Sequence, residues 1–153
     1  MSTEEYPEVY FLRFAFACAE ALVDQDIITQ EQHDEMKNSI LTNTPLDRDY
    51  LENIFTNAFK GLKKIDDAHY MTHEIIRKYF CNQHEENLQH LAEPARNFCL
   101  VKNAKVVKRL TGNFYRVEME DGTTRPVHME ICPDVQIGDI VRVHRAYAAE
   151  KIK

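Results

Sequence analysis

The 153 residues are 44% apolar and 10% aromatic, the make-up of a soluble globular chain with material for a modest core, as one ordinary domain or two small ones. The formal charge of −6 is unevenly divided: residues 1–95 carry 18 Asp/Glu against 8 Lys/Arg, net −10, and residues 96–153 carry 7 against 11, net +4. The longest apolar run, Val9 to Val23, is interrupted by Arg13 and Glu20 and spans only about 22 Å as a helix, which excludes a bilayer crossing and membrane insertion. No basic segment precedes it, so it does not read as a secretory signal, and a cytoplasmic location is the expectation. Cys18, Cys81, Cys99 and Cys132 are widely spaced with no CxxC pair, so free thiols are expected.

From Pro7 to Asp24 the chain is nearly all apolar, rich in alanine and phenylalanine and free of glycine, which predicts a buried helix. Thr29-Gln30-Glu31-Gln32 has the spacing of a capping box and predicts a second helix carrying Met36, Ile40 and Leu41 on one face. Thr44-Pro45 repeats the start signal, with threonine at the cap and proline at the first helical position. Leu51, Ile54, Phe55, Ala58, Phe59 and Leu62 then fall three and four apart, so a third helix is expected to about Leu62. Asp66 or Asp67 is the expected cap of a fourth, bearing Tyr70, Ile75, Ile76, Tyr79, Phe80, Leu88 and Leu91 before Pro94. Four helices with short loops imply an all-α bundle.

The fourth helix also holds His69, His73, Cys81, His84 and His90. Cys81 lies eight positions beyond His73, about 12 Å along a helix axis, so the set cannot enclose one ion. Solvated or hydrogen-bonded histidines are the expectation there. No phosphate loop, nucleophile elbow or HExxH motif is present in this half.

Around Glu93 to Asn97 the hydrophobic period changes from 3.6 to about 2 and the charge changes sign, dividing the chain into domains 1–95 and 96–153. Beyond it, alternating runs are separated by Gly112-Asn113, Asp121-Gly122, Pro133-Asp134 and Gly138-Asp139. Asp121-Gly122 predicts a hairpin in which both turn residues take positive φ. Four or five short strands in so few residues favour a small closed or partly closed barrel, OB-like or SH3-like, since closure removes exposed edges. The fold class is α+β in two segregated domains, a helical bundle followed by the barrel.

The run Cys99 to Val107, then Gly112-Asn113, Gly122, Arg125, Pro133-Asp134-Val135, Gly138-Asp139 and Val141-Arg142-Val143-His144-Arg145-Ala146-Tyr147-Ala148, resembles the hydrogenase assembly chaperones of the HypC/HupF type. The similarity covers residues 98–153. It implies an OB-like barrel that is not an enzyme and that carries an iron centre with cyanide and carbonyl ligands from a scaffold protein to a nickel-iron hydrogenase large-subunit precursor. Cys99 and His144 occupy the places of the cysteine that opens the family's domain and of its Val-x-Val-His histidine. The chain departs from the family at Asn103, where proline is usual, and at Ala104 and Ala146, where glycine is usual. The family's cysteine directly follows the initiator methionine, whereas Cys99 follows Phe98, so its nitrogen is an amide.

Thiolate and imidazole together suit low-spin ferrous iron better than hard cations. Lys102 and Lys105 are expected as supporting charge, lowering the Cys99 pKa and attracting an anionic iron unit. Cys132 and His128 are read as structural. Catalytic residues are not expected, and iron is the expected transient cargo. Two other readings remain: a single-stranded nucleic-acid module displaying Phe114, Tyr115 and Tyr147, and a non-catalytic adaptor whose two domains bind protein partners. Nucleic acid is not the expected partner, because the +4 half adjoins a −10 half and its cations are scattered.

Overall fold

The computed structural model describes residues 5–83 and 101–152, with side chains for 5–81 and 101–152. The chain divides into two compact units, Met1–Asn87 and Leu88–Lys153. The boundary expected at 95/96 lies outside the described residues, as do His84, His90 and Cys99. No helix among the described residues is long and apolar enough to cross a membrane.

The first unit is helical. Helix α1, Pro7–Asp24, has Pro7 in its first turn, where the missing amide costs nothing, and buries residues on every side of its first three turns, among them Phe11, Phe14 and Phe16. Phe11 meets Phe55 and Phe59 edge-on at 5.6 and 5.0 Å, and Phe14 stacks on Phe80 at 5.1 Å. Helix α2, Gln30–Thr42, opens with the expected capping box: the Gln32 amide donates to Thr29 Oγ1 at 3.1 Å and the Thr29 amide to Gln32 Oε1 at 2.8 Å. It ends at Asn43, which takes the left-handed conformation at φ 51°.

Thr44 does not cap the next helix. Its hydroxyl accepts from Thr42 at 2.9 Å and its carbonyl from the Ser39 hydroxyl at 2.6 Å, so Thr44 is tied back to α2. Asp47 caps instead, accepting from the Asp49 amide at 2.8 Å, and starts α3, Arg48–Ile54. The single expected helix is divided at Phe55, whose φ of −105° and ψ of 51° leave the helical region, and α4 runs over Thr56–Ile65. Asp66 closes a turn, accepting from the Ala68 and His69 amides, and Thr72 caps α5, His73–Lys78, through the Ile75 amide at 3.3 Å. A π-helical turn, Tyr79–Gln83, follows. The described part of this unit therefore holds five α-helices, not four.

The second unit is a closed five-stranded barrel in the order β1-β2-β3-β5-β4: β1 Lys102–Thr111, β2 Phe114–Met119, β3 Thr124–His128, β4 Ile140–His144 and β5 Tyr147–Lys151. All neighbours are antiparallel except β3 and β5. The inward positions Ala104, Val106, Val117, Val127, Val141 and Val143 meet in one core, alternating with outward residues as a half-buried strand requires. Cys132 fills the same core, a small apolar packer.

The β2–β3 turn differs from the expected two-residue form. Glu120, Asp121 and Gly122 form the loop, the Gly122 amide donates to the Met119 carbonyl at 3.0 Å, and Gly122 at φ 86° is its one residue with positive φ. A type I turn closed by a left-handed glycine satisfies strand twist with one special position instead of two. Asp121 braces it by accepting from the Thr123 hydroxyl at 2.6 Å and the Thr123 amide at 3.0 Å.

Candidate functional site

His144 closes β4, and Arg145-Ala146 return the chain into β5. Val141 and Val143 point into the core, so His144 alternates onto the other side of the sheet, yet it is fully buried, with 0% exposure. Its cross-strand partner is Tyr147, also buried. The strands extend this pairing into a row of four rings in register: His144 opposite Tyr147, Tyr147 beside His128 on β3, and His128 opposite Phe114 on β2. The His128 ring stacks on Tyr147 at 4.8 Å with 18° between planes, and Phe114 tilts against His128 at 3.9 Å.

The turn itself is held from β3. The His128 amide donates to the Ala146 carbonyl at 2.7 Å, and Arg125 Nη1 donates to the Arg145 carbonyl at 3.1 Å. Arg125 is half-buried, and removal from water pulls its guanidinium below the ordinary arginine range, opposed by the Asp121 charge. Arg145 takes φ 57°, a left-handed conformation that side chains other than glycine, asparagine and aspartate rarely adopt.

Cys99 lies outside the described residues. The strand that follows it begins at Lys102, which stands opposite Val143, the residue before His144. Three residues of chain from Lys102 to Cys99 span at most about 11 Å. Lys102 is therefore at the His144 end of β4. Lys105 is not: it stands opposite Ile140, at the other end of that strand, and opposite Glu118 on β2. The odd separation also sends the two lysines to opposite faces of β1, so they do not form one cationic pair.

Of the aromatics expected on the surface, Phe114 and Tyr115 are half-buried, with Tyr115 packed on the core, and Tyr147 is buried. The row containing His128 was not foreseen, since it depends on the β3–β5 contact, which leaves no mark in the local alternation of either strand. In the first unit, His73 stacks on Tyr10 at 4.4 Å and its Nε2 donates to the Glu5 carbonyl at 2.6 Å, which fixes the proton on that nitrogen. His69 lies 3.5 Å from Asp66. Among the described residues no three His, Cys, Asp or Glu side chains are grouped as a metal-ion site.

Compared with family models and with curated proteins, the sequence matches none.

Proposed function

We propose that the barrel is a HypC-like maturation module that docks a protein partner through Cys99 and relays an iron centre, as cargo, with His144 close to the contact. The observation that supports this reading is the antiparallel register of β1 on β4. It sets Lys102 against Val143, so the chain leading from Cys99 joins the sheet at the end that carries His144. A closed five-stranded barrel whose first strand begins three residues after Cys99, beside the strand that His144 ends, suits presentation of a thiolate to a partner without any catalytic step. His144 is fully buried, so in this reading its imidazole reaches cargo only after a local rearrangement exposes it. The acidic helical unit serves in this reading as a second surface for the scaffold protein or the large-subunit precursor.

The test is co-purification of the full chain with an iron-loaded maturation scaffold protein, read by gel filtration and by the infrared bands of iron-bound cyanide and carbonyl. The wild type is expected to form the complex and acquire the bands, and Cys99→Ala to lose both while keeping the wild-type circular dichroism. His144→Gln is expected to retain the complex and lose the bands. A complex undiminished in Cys99→Ala sinks the proposal.

A further inference from the structure

We infer that the outer face of β1, β2 and β3, around Lys108, Arg116, Phe114 and His128, binds single-stranded nucleic acid. The β1–β2 register is interrupted after Val106: Val106 faces Val117, but Lys108 rather than Val107 faces Arg116. That bulge puts two exposed cations directly opposite each other, a pairing that costs stability in a sheet unless an anion lies between or over them. The other cross-strand neighbour of Arg116 is Pro126, and neither Lys108 nor Arg116 has an ion-pair partner among the described residues. Glu118, two residues along β2 on the same face, stands opposite Lys105, a third cation of the patch.

Phe114 lies two residues from Arg116 on the same side of β2, about 7 Å away. It is half-buried, tilted on His128, which is itself stacked on Tyr147. The rings behind Phe114 hold it in one orientation, so a base stacking on it finds a platform already set. A nucleotide whose base rests on Phe114 has its phosphate within reach of Arg116 and Lys108. A planar ring beside paired, unneutralised cations is complementary to a stacked base followed by a phosphate, the repeating unit of a single strand. The patch uses no residue of the Cys99 contact and stands independently of that reading.

The experiment is fluorescence anisotropy of the full chain with a labelled ten-nucleotide oligothymidine probe, repeated over a series of salt concentrations. Binding is expected to weaken with salt with a log–log slope of about −1.4, from two phosphate contacts at roughly 0.7 each. Arg116→Gln, at an exposed position, is expected to reduce that slope by about 0.7. Phe114→Leu keeps an apolar side chain for the fold and removes the stacking face, with an expected loss of roughly five- to hundredfold in affinity. Absence of salt-sensitive binding, equal binding of a duplex of the same length, equal displacement of the probe by polyglutamate, or affinity and slope unchanged in both variants would each overturn the inference.

Discussion

Gly61 lies against the ring of Tyr79 so closely that a Cβ added to the glycine would overlap the ring edge, with Cδ1 at 2.8 Å. In an exposed helix, Gly→Ala is worth about 1 kcal/mol in favour of the helix. Here the added methyl meets a ring that is only 3% exposed and belongs to the π turn after α5, so relieving the overlap means shifting a buried side chain. Gly61→Ala is therefore expected to lower stability by about 1–2 kcal/mol through overpacking, measured by thermal or urea unfolding followed by circular dichroism. In a Tyr79→Leu background the same substitution is expected to become neutral or stabilising. A stabilising effect with Tyr79 in place refutes the account.

Arg145 supplies a second test, because it occupies φ 57° in the turn between His144 and Tyr147. A left-handed residue other than glycine stores roughly 1 kcal/mol or more, and glycine gives back part of that gain through the unfolded chain. Arg145→Gly is expected to raise barrel stability by about 0.5–1 kcal/mol, seen as slower amide exchange in β4 and β5. Exchange faster than in the wild type would mean that the arginine side chain contributes more than its backbone strain costs.

Arg125 is expected to matter through its reach. Its half-buried guanidinium donates to the Arg145 carbonyl and ties β3 to the β4–β5 turn. Arg125→Met keeps much of the side-chain packing but removes the donor, at an expected cost of about 1–2 kcal/mol. Two-dimensional NMR of this variant should show the largest shifts at Arg145, Ala146 and Tyr147. Shifts confined to β3 would contradict the clamp.

The extent to which these features are legible in the sequence varies with their range. The first helix and the capping box of the second involve neighbours within four positions, and both stand where the pattern put them. The Thr44 signal failed because Thr44 has two possible partners, and its bonds to α2 are made with residues the cap rule does not weigh. Phe55 satisfies the helical spacing of its neighbours, yet turns the chain out of the helix while packing on Phe11, a tertiary contact that periodicity cannot carry. In the barrel, strand positions followed from alternation. The bulge at Val107, which decides that Lys108 faces Arg116, did not, since Val106-Val107-Lys108 reads as regular strand. Lys102 and Lys105, by contrast, are separated by the regular alternation of β1, which their odd spacing already carries.

Acid is expected to loosen the barrel through two turn carboxylates. The Thr123 hydroxyl and then the Thr123 amide hold Asp121 below the usual carboxylate range, and the Gln136 amide, at 2.8 Å from Asp139 Oδ2, does the same for Asp139 with help from Lys151 at 3.4 Å. A carboxyl whose folded pKa is depressed stabilises the fold fully above its unfolded value, about 4, and loses that contribution as pH falls through the lower folded value. The contribution of these two carboxyls should thus be full from neutral pH down to about 4 and decline below it. Asp121→Asn and Asp139→Asn together are expected to lower the neutral plateau and flatten the decline, read by urea midpoints against pH. A decline as steep as that of the wild type would refute the assignment.

The β3–β5 pairing, in which His128 and Tyr147 are the one registered pair, makes the barrel a sheet with a seam. Every other boundary between the described strands is stitched by a longer ladder, so opening the seam breaks the fewest ladder pairs. The ring stack and the Arg125 tie are its fasteners. Because Tyr147 is both the seam residue and the cross-strand partner of His144, a break at the seam frees one side of the residue that flanks the buried imidazole.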